Sequence, residues 1–345
     1  MRKLRDMNNA ILLFGGLSDE RLVSVASAQN LVSHYPFHSH WFVSPQGQVY
    51  EVSMDELRAH SNSFEKEFLP KQVAFANSLE MAIQKERDSV FFLGFHGSDE
   101  EDGRLQELFE HHRICFTGSG SEASKTCFEK TLGKDRALKA GLLVAPQITL
   151  TGNAPNQADS LIQFFIENHK MVMKPIANGS SVGLHIIVDQ KTLDHAIKSL
   201  TSSTHSHWMA EKFIEGRELT VGVIDSRGKA IPLSPSEVLL SKGQAFDFKG
   251  KYLGRGVTEV TPADLSPKDW SQAQQVAIKA HQALGCVGYS RTDMIFSQDG
   301  FYFLETNTLP GLTKASFIPQ QLHCSAISMN EFIASQLELA RKRYS

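Results

Sequence analysis

The chain has 345 residues, too many for one ordinary core, so two or three packed units are expected. Its 41% hydrophobic and 21% charged residues make a globular composition, and no apolar run approaches membrane-spanning length. A formal net charge of −3 offers no basic field for nucleic acid or a membrane surface.

In chain order, "AILLFGG" reads as a buried strand entering a tight turn. The opening "MRKLRDMNN" with this short apolar run is no signal peptide, because it passes straight into a glycine turn without a small-residue cleavage site. "LSDERLVSVASAQNLV" follows with a helical pattern, capped by Ser18 or Asp19. A second strand, "VFFLGF", ends at "HGSDEEDG"; a helix with Leu105, Leu108 and Phe109 on one side and a strand "ICFTG" come next. This alternation makes residues 1–118 an open α/β domain with a mostly parallel sheet. Ligands of such sheets bind at the carboxyl ends of strands, where Gly15–Gly16 and His96–Gly97 lie.

Residues 119–210 read as a small α+β unit. It holds a helix Ser124–Ala140, a strand, a helix "ADSLIQFFIEN", strand "MVMKP", a Gly/Ser loop, strand "LHIIV" and helix "KTLDHAIKSL". After a polar joint, "SSTHSH", residues 211–345 bring strands "ELTVGVID" and "SRTDMIFS…FYFLETN", a Gly/Lys-rich loop around 241–256 and two helices. Cys115, Cys127, Cys286 and Cys324 are scattered, which points to reduced thiols in a cytoplasmic protein.

The Gly/Ser loop, "NGSSVG", fits the G-x-S-x-G pattern that would make Ser181 a hydrolase nucleophile. A nucleophile elbow needs a helix after the turn, and "LHIIVD" is β-rich, so the context is strand–loop–strand. Such a loop offers backbone N–H groups to anions, with Lys174 on the adjoining strand as a point charge for phosphate; an ordinary hairpin loop is the bland alternative. "GSGSEASKT" lacks the glycine a Walker A loop needs before its lysine, since Ser124 stands there.

The strongest local pattern is "RTDMIFSQDGFYFLETN". Two β-like runs flank Gln298–Asp299–Gly300, read as a three-residue hairpin loop. That register pairs Ser297 with Phe301, Ile295 with Phe303, Asp293 with Glu305 and Arg291 with Asn307, so the last four side chains share one face. Facing carboxylates destabilise a sheet unless a cation lies between them, and this hard-oxygen set favours Mg²⁺ or Mn²⁺ bridging phosphates. A structural ion-pair cluster around Arg291 is the alternative.

With these motifs the chain resembles the D-alanine–D-alanine ligase family of ATP-grasp enzymes. The matching segments run in family order from residue 15 to 317 and include "GGLSDERLVSVASA", "FHGSDEEDGRLQ", "KPIANGSSVG", "EKFIEGRELTV", "FDFKGKYLG" and "LETNTLPGLTKASF". The resemblance implies an ATP-grasp fold behind the N-terminal parallel-sheet domain, ATP and two Mg²⁺ (or Mn²⁺), a homodimer, and D-alanine as the small-molecule substrate. It further implies that Glu20 holds the ammonium of the first D-alanine and that His96 lies near its carboxylate. Lys130 and Lys174 would neutralise phosphates under the segment Gly179, Ser180 and Ser181. Glu211, Lys212 and Ile214 would frame the adenine, and Glu218 would bind the ribose. Lys251 and Tyr252 would come from a closing loop, Tyr252 linking through Ser180 to Glu20. Asp293, Glu305 and Asn307 would hold the metal ions; Arg291 and the Gly311 N–H would meet oxyanions; Ser316 and Phe317 would face the second D-alanine. Phe246, Phe248, Glu129 and Glu107 depart from the family pattern, and the two phenylalanines put second-substrate choice among D-alanine, D-serine and D-lactate in doubt. A serine hydrolase using Ser181 and an inactive nucleotide-binding protein are the rivals from other classes.

Overall fold

The computed structural model describes residues 9–343 except 153, 178–182, 203–206 and 241–256. The first sheet contains β1 (Ala10–Gly15), β2 (Ser39–Val43), β3 (Val49–Glu51), β4 (Val90–Leu93) and β5 (Cys115–Phe116), in the order β3-β2-β1-β4-β5. Its pairs are parallel except β2–β3, as the open α/β reading expects. β2 and β3 escaped that reading, so "VFFL" is the fourth strand of the chain and not the second. β1 reads as a continuous apolar run because both its faces are buried. Leu12 and Phe14 pack with Val25 and Leu31 of α1 (Arg21–His34). Ile11 and Leu13 pack on the other side, with Ala82 of α3 (Leu79–Ile83) and Phe109 of α5 (Arg104–His111). Two short helices, α2 (Met54–Ala59) and α4 (Ser98–Glu101), complete this unit.

Helix α1 begins later than expected. Glu20 is its N-cap, not Ser18 or Asp19, and makes no side-chain cap bond. The Ser18 hydroxyl instead donates to the His96 carbonyl at 2.7 Å, tying the β1 turn to the end of β4.

The helix expected over 124–140 is two helices, α6 (Ser121–Phe128) and α7 (Lys130–Lys139). Glu129, with ψ 102°, breaks it, and the Lys130 N–H donates to the Ile176 carbonyl at 3.3 Å. Beyond lie β6 (Gln147–Thr151), α8 (Gln157–Asn168), β7 (Met171–Pro175), β8 (His185–Ile187), α9 (Gln190–Ser202) and β9 (His207–Lys212). Their antiparallel sheet runs β6-β9-β7-β8, so β9 carries this unit past residue 210, where the sequence reading drew its boundary. Met171 and Met173 are core residues here, with Leu161 and Trp208. β7 and β8 pair antiparallel, so the described element that follows the Gly/Ser segment is a strand and not the helix an elbow needs; Ser181 itself lies outside the described residues.

The last sheet comprises β10 (Arg217–Ser226), β11 (Lys229–Pro232), β12 (Ser236–Leu240), β13 (Val257–Val260), β14 (Tyr289–Ser297) and β15 (Gly300–Asn307). Its order is β13-β12-β10-β14-β15, with β11 on β10. Strands β11, β12 and β13 escaped the sequence reading. Among the described residues three helices accompany them, where the sequence pattern predicts two: α10 (Pro267–Ala283), α11 (Phe317–Cys324) and α12 (Met329–Arg343). Helix α12 returns to the first sheet, where Phe332, Ile333 and Leu337 share a core with Leu12, Phe14 and Phe92.

Candidate active site

The β14–β15 ribbon places Arg291 opposite Asn307 and Asp293 opposite Glu305, as the sequence reading expects, but by another route. The turn is the two residues Gln298–Asp299, so Ser297 pairs with Gly300, Phe296 with Phe301 and Ile295 with Tyr302. The expected pairs Ser297–Phe301 and Ile295–Phe303 are therefore wrong. A β-bulge after Asp293 leaves Leu304 unpaired in the register, absorbs the extra residue and returns Glu305 to Asp293.

Asp293 is held from four directions. Arg291 grips it with Nε on Oδ1 at 2.9 Å and Nη2 on Oδ2 at 2.8 Å. The Thr220 hydroxyl of β10 donates to Oδ1 at 2.5 Å, and Asn307 Nδ2 to Oδ2 at 3.3 Å. The ion pair that stood against the metal reading is thus present. Four donors match the roughly four lone-pair positions of a carboxylate, so an ion at Asp293 must displace one of them. Asn307 makes the longest contact, and turning it away would present its own amide oxygen. Among the described residues no three His, Cys, Asp or Glu side chains converge so as to hold a metal ion. Two carboxylates and one carboxamide suit magnesium, whose remaining positions phosphate and water fill. The donor set fits.

Beside the ribbon lies a row of charges. Lys130, the first residue of α7, has its Nζ 3.8 Å from Glu305 Oε2. One turn on, Lys134 Nζ meets Glu211 Oε2 of β9 at 2.5 Å, and Lys174 Nζ of β7 meets Glu211 Oε1 at 2.5 Å. Burial opposes the Glu211 charge, but Lys134 and Lys174 outweigh it and hold its carboxyl down at about 2. Burial pushes Lys134 below the ordinary lysine range. It opposes the Lys174 charge too, yet Glu211 and Glu305 prevail and raise that ammonium. Glu218 of β10 is half-buried and adds to the field on Lys174; Lys212 is exposed at the end of β9, and Ile214 is half-buried on the segment between β9 and β10.

On the first-sheet side, His96 is buried with both ring nitrogens engaged. Nδ1 lies 3.1 Å from the Leu309 carbonyl, which only accepts, so Nδ1 carries the proton. Nε2 lies 2.8 Å from Ser27 Oγ, which itself receives the Leu312 N–H at 3.3 Å. His96 therefore clamps the loop after β15 onto the end of β4. Gly311 belongs to that loop, and a Cβ there would lie 2.7 Å from Ser316 Oγ, so glycine lets the loop close on the start of α11. Phe317 is buried, its ring 5.8 Å from the Arg291 guanidinium carbon. Glu20 sits at the start of α1, its N–H 3.3 Å from Ser18 Oγ. Gly179, Ser180, Ser181, Lys251, Tyr252, Phe246 and Phe248 lie outside the described residues, as does the Tyr252–Ser180 link.

Three side chains of this region were missed from sequence. Lys134 had a signal, since it follows Lys130 by one helical turn. Thr220 had none, because its place opposite Asp293 depends on the β10–β14 register. Glu100 looked like one charge in the acidic run "SDEED", yet it is buried and takes the Leu17 N–H on Oε1 at 2.7 Å.

Comparison with known proteins shows which family and which fold the chain is similar to. The family model described as D-ala D-ala ligase N-terminus matches residues 9–119, and that described as D-ala D-ala ligase C-terminus matches 138–338. A D-alanine–D-alanine ligase of Leptospira interrogans is 33% identical over 98% of this chain and 99% of its own. Among solved structures, a D-alanine–D-alanine ligase from Coxiella burnetii superposes with a TM-score of 0.78 at 24% identity, over 97% of this chain and 94% of that one. The VanG D-Ala:D-Ser ligase of Enterococcus faecalis superposes at 0.77 and 24%, over 97% and 99%. At such identities these two structures speak for the fold alone.

Proposed function

The chain belongs to the D-alanine–D-alanine ligase family, and from that premise we propose how its residues join two D-alanines into D-alanyl-D-alanine, with ATP becoming ADP and phosphate, for peptidoglycan precursor synthesis. The observation that carries the reading is the bulged ribbon that sets Arg291, Asp293, Glu305 and Asn307 beside Lys130.

A carboxylate is a poor electrophile, so the first D-alanine attacks the γ-phosphorus and becomes an acyl phosphate while ADP leaves. Lys130 and Lys174 neutralise the phosphates, and Glu211, Lys212 and Ile214 frame the adenine with Glu218 on the ribose. Asp293, Glu305 and Asn307 would hold magnesium or manganese, which would supply charge neutralisation on the transferring phosphoryl group. Glu20 holds the first ammonium, and His96 keeps the loop bearing Gly311 against that pocket. The second D-alanine, placed by Ser316 and Phe317, attacks the acyl carbonyl with its neutral amine. Arg291 and the Gly311 N–H receive the oxyanion, and phosphate departs. The segment Gly179, Ser180 and Ser181 and the residues Lys251 and Tyr252 exclude water from the acyl phosphate. We place this chemistry in the cytoplasm, where ATP is available, and in a homodimer.

Incubation with ATP, Mg²⁺ and D-alanine should release phosphate and yield the dipeptide by mass. Adding D-serine or D-lactate to D-alanine should give little mixed product. No phosphate from any of these substrates refutes the ligase reading, and a dominant mixed product moves the second-substrate assignment.

A further inference from the structure

Lys134 has no role in the reaction as described, yet it is the most deeply buried charge beside the site. Its side chain has 0% exposure, and its ammonium is spent on Glu211 Oε2 at 2.5 Å. Burying an ion is costly even after relaxation, so a third charge added to an already complete Lys174–Glu211 pair calls for a reason.

Counting charge supplies one. Lys174 and Glu211 alone are a closed pair with no net charge, and a phosphate approaching Lys174 would compete with a buried carboxylate for it. With Lys134 on the other oxygen, the row Lys134–Glu211–Lys174 carries one positive charge in excess. That excess can be expressed only at Lys174, because Lys134 is sealed. Glu305 and Glu218 also draw on Lys174 from further away, but Lys130, 3.8 Å from Glu305, offsets part of that pull, and the excess within the row remains.

We propose that Lys134 is a positioning residue for nucleotide binding: it holds Glu211 in place as a buried counter-ion, so that Lys174 can turn its charge to the nucleotide phosphates. The inference rests on the ATP-dependent reading of this site. Lys134 itself touches no substrate and acts through Glu211.

The test is a thermodynamic cycle on ADP affinity, read by calorimetry without turnover, with the KM for D-alanine as a second readout. Lys134→Met keeps the length and apolar stem of the side chain and removes its charge. It should weaken ADP binding about tenfold or more, while the KM for D-alanine at saturating ATP changes less than about threefold. In a Glu211→Gln background the same substitution should change ADP affinity by less than about twofold, because no buried carboxylate then needs a partner. Equal losses in both backgrounds would overturn the proposal, and so would undiminished ADP binding by folded Lys134→Met. Should Lys134→Met fail to fold alone, recovery of fold in Lys134→Met/Glu211→Gln supports the coupling, and continued unfolding refutes it. A wild-type chain that binds ADP but makes no dipeptide would sink the ligase reading and leave this cycle readable.

Discussion

Glu100 shows what one buried carboxyl does to this chain. Burial pushes it up to about 7 from an ordinary 4.5, while the Leu17 N–H partly offsets the cost of its charge. Because the folded value is the higher one, the native chain keeps a proton that the unfolded chain has already released. This contribution to stability is present below about 4.5 and is lost as pH rises through about 7. Glu100→Gln keeps an acceptor for Leu17 and cannot ionise. Urea unfolding at several pH values should find the wild type losing about 3 kcal/mol relative to this variant between pH ~4.5 and ~7.5, and nothing further above. Asp293 makes the complementary case. Asp293→Asn keeps the shape of the side chain but weakens both the Arg291 grip and any ion. Phosphate release should fall more than about a hundredfold, with a higher Mg²⁺ concentration for half-activity. Unchanged magnesium dependence would remove Asp293 from the ion site.

Among elements, the β1–α1 turn and the β14–β15 ribbon hold the site. Gly15 has φ +92°, and a Cβ there would lie 2.3 Å from the Val43 carbonyl oxygen and 2.7 Å from the Phe42 ring. Gly15→Ala should therefore cost at least about 2 kcal/mol, read as a lower urea midpoint with an unchanged slope. The ribbon shows how a pattern can be right for an incomplete reason. Alternation along "RTD" and "ETN" identified the four polar residues. The turn length was misread, and the bulge at Leu304 offset that error, because a bulge answers to packing across the sheet and leaves no mark in side-chain period. The break at Glu129 was likewise invisible: helical spacing continues through it, and only the backbone bond from Lys130 to Ile176 shows where α7 must start afresh.

For the whole molecule, α12 joins the first and last sheets through Phe332, Ile333 and Leu337, and Arg343 Nη1 reaches the Gly118 carbonyl at 3.1 Å. Phe332→Ala should cost about 3–5 kcal/mol. It should destabilise both units together, so that far-UV circular dichroism and tryptophan emission still unfold in one coincident transition. Two separated transitions would show that the shared core does not couple them. The active site inherits this coupling, because His96 on the first sheet grips the loop after β15 through Leu309 and Ser27.

The order of motifs along the chain, the parallel first sheet and the polar residues of the ribbon were legible in the residues, since apolar runs, turn glycines and alternation are local properties. Folding in three dimensions was needed to bring Lys134, Glu211 and Lys174 from three separate elements into one charge row. It also put Thr220 behind Asp293 and gave His96 one ring partner, Leu309, on a loop more than two hundred residues away. Contacts between distant segments depend on strand register and sheet order, which no single stretch of sequence encodes.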